Sequence, residues 1–89
     1  MRIKLYYNKN LQMSAQKLAA QVGHVCKELG RMQPDSIAQD DSIVVLMASN
    51  AKFESLLIEM TNHEYHYVQV DNGLTEVPPG TKTVLGWIE

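Results

Sequence analysis

The chain is short of cations, of cysteine and of long apolar runs, and each shortage narrows what it can be. Eight Lys and Arg stand against ten Asp and Glu, a formal net charge of -2. That balance counts against strong non-specific binding to nucleic acid, whose phosphates are usually met by a basic patch. It leaves room for a local patch on an otherwise acidic surface. The single cysteine, Cys26, cannot close an internal disulfide, which agrees with a reducing compartment. No apolar run is long enough to span a bilayer, and no charged segment leads into an apolar stretch and a cleavage site. A cytoplasmic location is the expectation. There is no G-x-G-x-x-G, no Walker loop and no nucleophile elbow. The three histidines, His24, His63 and His66, lack the spacing of a metal site. His63 and His66 can meet on one turn, but no third ligand is evident.

What remains is 89 residues, 45% of them hydrophobic, enough for one small domain with one modest core. Residues Arg2 to Tyr7 alternate, Ile3, Leu5 and Tyr7 against Arg2, Lys4 and Tyr6, which predicts a strand with one face more buried. Ser14 is a plausible N-cap. Beyond it Leu18, Val22, Val25, Cys26 and Leu29 recur at helical spacing, with Gly30 as a natural stop. Residues 31 to 41 read as a connection. The run Ile43-Val44-Val45-Leu46-Met47 suits a central strand covered on both faces. Ser49 or Asn50 can cap a second helix with a stripe of Phe53, Leu56, Leu57 and Met60. Tyr65 to Val70 and Lys82 to Ile88 are the last two strands, and Asp71-Asn72-Gly73 between them is turn chemistry. The order β-α-β-α-β-β predicts an α/β fold: a single three-layer α/β/α-type domain over residues 1–89, with a four-stranded mixed sheet.

In such sheets sites form beyond the carboxyl ends of parallel strands. If the first and third strands run the same way, Lys17 and Asp71 emerge on one edge. Lys17 follows the presumed cap by three residues, where the helix dipole favours acidic side chains. A lysine beside free helix N–H groups makes an anion site, suited to a phosphate or a developing oxyanion. On spacing alone a solvated surface lysine is the simpler reading. Asp71 is ordinary in an Asp-Asn-Gly turn. Thr75 and Thr83 are ordinary choices near or in a strand, and Pro78-Pro79-Gly80 most simply shapes a rigid corner. Cys26, in the apolar stripe, reads as a small core residue.

Two gapped blocks say more together than these residues do singly. One is Leu11-x-Met13-Ser14 followed by Lys17-Leu18-Ala19-Ala20-Gln21-Val22-Gly23-His24. The other is Asp71-x-Gly73-x-Thr75, then Pro79-Gly80-x-x-Thr83-Val84-Leu85-Gly86. In order and spacing the chain resembles the type 2 peptidyl-tRNA hydrolase family. The resemblance implies hydrolysis of the ester between a peptide and the terminal ribose of tRNA, with no cofactor. It puts Lys17, Asp71, Thr75 and Thr83 on positions implicated in catalysis. Gln21 and His24 fall on groups behind the site or facing tRNA, and Lys9 and Lys82 join Lys17 as cations for the acceptor end of peptidyl-tRNA. Family members often pair, so a homodimer is a further expectation. The chain departs from the family's basic, glycine-containing run: Gln12, Ala15 and Gln16 stand where two lysines and a glycine are usual, and Leu74 replaces the common basic residue. Fewer cations favour weaker tRNA binding. They also keep alive an alternative, a non-catalytic binding module or homodimeric interaction protein that retains the hydrolase fold. Lysines clustered around Asp71 would favour the hydrolase, and scattered ones the module.

Overall fold

A computed structural model describes residues 2–33, 42–73 and 76–89. Strand β1 (Arg2–Asn8) leads to helix α1 (Ala15–Met32), then β2 (Ser42–Ala48), helix α2 (Asn50–Glu59), a 3-10 turn (Met60–Asn62), β3 (His66–Val70) and β4 (Lys82–Ile88). The sheet order is β2-β1-β4-β3. β1 and β2 are parallel, while β4 runs antiparallel to both β1 and β3. Thus β1, β2 and β3 share one direction, and their carboxyl ends lie on one edge of a mixed four-stranded sheet.

The core follows the alternation of the strands. Ile3 and Leu5 of β1, with Val84 and Ile88 of β4, pack against Val25 and Leu29 of α1. Cys26 lies at the border of this cluster, where burial pushes its thiol pKa up. On the opposite face Leu85 and Trp87 of β4 and Ala48 of β2 meet Phe53 and Leu56 of α2 and Met60. One helix per face makes the three layers that the element order predicts. Gly86 makes room for its paired neighbour Leu5 on β1. A Cβ there would collide with the Leu5 side chain and lie 2.9 Å from the Lys4 carbonyl oxygen.

Both helices begin where serine can cap them. Ser14 Oγ accepts from Lys17 N–H and Ser49 Oγ from Lys52 N–H, satisfying donors left free by the first turn. Two expectations change. Gly30 does not stop α1, which continues to Met32. No Cβ contact excludes a side chain there and its φ is not positive, so it behaves as an ordinary helical residue. Nor is β2 central: among the described residues it pairs with β1 alone and forms one edge of the sheet. Its side chains stand partly in solvent, Ile43 at 55% and Met47 at 62% exposure. A run of apolar residues has no period to distinguish a covered strand from an exposed edge. Among the described residues, no helix is long and apolar enough to cross a membrane.

Candidate active site

The site assembles where β1 and β3 end and α1 begins. The turn after β3 is closed at its neck by backbone bonds, Asp71 N–H to the Thr81 carbonyl at 2.9 Å and Gly80 N–H to the Asp71 carbonyl at 2.8 Å. Asp71 Oδ2 accepts from Gly73 N–H at 2.7 Å, so the side chain braces its own turn. Gly73 takes φ 76°, and any Cβ would lie 2.5 Å from Pro79 N. Only glycine meets both demands at low cost. The Asp-Asn-Gly and Pro-Gly signals of the sequence are thus two sides of one packed corner.

That corner aims the other carboxylate oxygen at α1. Lys17 Nζ donates to Asp71 Oδ1 at 2.5 Å. The side chains are 12% and 7% exposed, so the pair is largely screened from bulk water. The Lys17 hydrogen bond, reinforced by Gly73 N–H, holds the Asp71 carboxyl below its usual range. A carboxyl lowered in this way is ionised at neutral pH and pairs as an anion with the Lys17 ammonium. The lysine that is out of place for the helix dipole finds its counter-charge on the neighbouring loop.

Beside the pair opens a cleft of about 340 Å³, lined by Lys17, Ala20, Gln21 and His24 of α1 and by Gln69, Val70, Asp71 and Asn72. Positions 17, 20, 21 and 24 share one helix face. Gln69, Val70 and Asn72 were not singled out in the sequence. Alternation along residues 65–70 is the available signal for Gln69 and the Asp-Asn-Gly turn for Asn72, while no pattern marks Val70 for the site.

Thr83 is fully buried, at 0% exposure. Its Oγ1 donates to Gln21 Oε1 at 2.6 Å. Plain alternation would set Thr83 on the α2 face with Leu85 and Trp87. The register between β3 and β4 shifts at Gln69/Val70, where Val70 pairs with Lys82 and Gln69 with Val84. Thr83 is the extra residue, and the bulge turns it to the α1 face. Gln21, only 4% exposed, is thereby fixed where it lines the cleft. Thr75 and Leu74 lie outside the described residues. His24 is exposed on the cleft rim. Lys82 opens β4 next to the Asp71 corner, and Lys9 is anchored by its backbone to the Ala48 carbonyl on the β2 side. Neither lines the cleft, so among the described residues Lys17 is its one lysine, and the three do not form the cluster around Asp71 that favours the hydrolase over the binding module. Among the described residues no three His, Cys, Asp or Glu side chains gather to hold a metal ion.

The arrangement offers a fixed ammonium, an ionised carboxylate that orients it and an amide wall, a set suited to stabilising negative charge on a bound oxygen. No curated protein matches the sequence. The family model for peptidyl-tRNA hydrolase PTH2 matches residues 1–88, from the first strand through the last. The chain belongs to the peptidyl-tRNA hydrolase PTH2 family.

Proposed function

We propose that the protein hydrolyses the ester of peptidyl-tRNA, or of an N-blocked aminoacyl-tRNA, releasing free tRNA and the peptide acid. The Lys17–Asp71 pair at the mouth of a cleft carries the proposal. Water adds to the ester carbonyl as the carbon–oxygen bond to the ribose breaks, and the ribose oxygen leaves with a proton. Lys17 donates to the carbonyl oxygen as it gains charge, and Asp71 keeps the ammonium aimed. Gln21 and His24 contact the substrate along the cleft, and Lys9 and Lys82 meet phosphates farther out. Thr75 belongs to this set by family position. The reading places the protein in the cytoplasm, with tRNA.

The test is ester hydrolysis of N-blocked aminoacyl-tRNA by the purified chain, with Lys17→Ala and Asp71→Ala as controls. Turnover should fall by about 100-fold or more in either variant, the scale of losing a charge-stabilising donor. No turnover at high enzyme concentration, with the fold intact, would return the protein to the binding-module reading.

One observation favours self-association beside this activity. β2 carries no charge to discourage edge pairing. A two-fold axis through Val45 would set Ile43 of one copy opposite Met47 of the other. Sedimentation velocity should show a dimer that Val45→Lys dissociates, and a monomer at all concentrations would remove the idea.

A further inference from the structure

Glu76 stands outside the residues carried by the family resemblance, yet it ties the two halves of the site together. Its Oε1 accepts from Ser14 N–H at 2.5 Å and its Oε2 from the Ser14 hydroxyl at 2.7 Å. Ser14 Oγ in turn accepts from Lys17 N–H at 3.1 Å. One carboxylate on the Asp71 loop is thus two hydrogen bonds from the backbone of the lysine that Asp71 engages. The first turn of α1 holds no acidic residue of its own. The negative charge that a helix start ordinarily draws from its own sequence comes here from a residue 62 positions away. Ser14 N–H chiefly, then its hydroxyl, holds the Glu76 carboxyl below its usual range, with a smaller contribution from the charge of Lys17.

A cap alone does not need this arrangement, because Ser14 already caps the helix. Asp71 does not need it either, because the backbone neck of the turn fixes it to the sheet. What remains free is the placement of the first turn of α1 against the loop. Among the described residues, the side-chain bonds joining the two are the Glu76–Ser14 pair and the Lys17–Asp71 pair. We infer that Glu76 is a positioning residue, clamping the start of α1 to the Asp71 loop so that the Lys17 ammonium is seated for the ester carbonyl. The catalytic half of this inference rests on the proposed hydrolysis.

The test uses the full chain with Glu76→Ala and Glu76→Gln, and two readouts. Misplacing a charge-stabilising group costs turnover more than affinity, so Glu76→Ala should lower kcat by about tenfold or more with KM nearly unchanged. Glu76→Gln, which keeps an oxygen for Ser14 N–H, should recover most of it. The 1H–15N signal of the Lys17 ammonium should move in Glu76→Ala and return toward its original place in Glu76→Gln. If Glu76→Ala does not fold, Glu76→Asp, whose shorter side chain draws the carboxylate away from Ser14 and leaves the Ser14 cap in place, should move the same signal in the same direction. Full kcat together with an unmoved Lys17 signal overturns the inference. A wild-type chain without turnover sinks the hydrolase reading instead, and the Lys17 signal still decides the clamp.

Discussion

Replacing Thr83 by valine separates two roles for a residue that the family pattern marks as catalytic. Valine keeps the shape and removes the hydroxyl, leaving the Gln21 amide oxygen buried without its 2.6 Å donor. Orphaning a buried acceptor costs about 1–3 kcal/mol. A domain of this size loses roughly 4–8 °C of melting temperature per kcal/mol, so a clear fall is expected. Thr83→Ser keeps the bond and loses one methyl, about 1 kcal/mol. Gln21→Leu with Thr83→Val removes both polar partners, and the double variant should be less destabilised than the sum of the singles. Urea unfolding of all four proteins gives the coupling, expected near 1–2 kcal/mol from the same bond. Additivity within about 0.5 kcal/mol would refute the reasoning. Activity supplies the second half. A buried hydroxyl acting through Gln21 predicts partial turnover in Thr83→Val, measured on N-blocked aminoacyl-tRNA. Complete loss in Thr83→Val, with Gln21→Leu fully active, would make the hydroxyl itself the reacting group.

Two further outcomes follow from the packing and the charges. Gly86→Ala should cost about 1–3 kcal/mol by overpacking, because its Cβ would meet the Lys4 carbonyl and Leu5 in the middle of a doubly paired strand; a thermal melt within a degree of the parent would contradict this. Asp71, Glu76 and Glu89 all have carboxyl pKa values lowered in the fold, chiefly by Lys17, by Ser14 N–H and by Arg2 respectively. Their stabilisation is complete above the ordinary values of 3.8 for Asp and 4.5 for Glu and disappears as pH falls through the lower folded values. Melting temperatures across an acid series should therefore decline below about pH 4.5, and a rise on acidification there would sink the assignment.

Much of the fold was legible because its signals are local. Ser14 and Ser49 announce helix starts, and alternation in residues 2–7 and 65–70 sorts the faces. Gly73 and Pro79 sit in the corner that their chemistry suggests. The Lys17–Asp71 meeting was also within reach, since it needed only that β1 and β3 share a direction. Three features were not. Which apolar strand lies at the edge is decided by global strand order, so the run in β2 misleads. A bulge reverses the side on which Thr83 points, and no residue type there advertises it. Glu76 is one acid in a turn-rich loop, and its partner Ser14 lies 62 positions away.

The place of β4 bears on how the molecule comes together. The last of the described strands joins β1 to β3 and brings Val84, Leu85, Trp87 and Ile88 into the core. Until it docks, β1 with β2 and β3 alone are fragments of a sheet with no shared edge. Helix α1 packs on β3 directly, but the strand pairing that unites the sheet waits on loop closure over most of the chain. A fragment ending at Thr81 should stay open and recover the fold only when a peptide of residues 82–89 is supplied, the strand acting as the keystone of an otherwise unjoined arch.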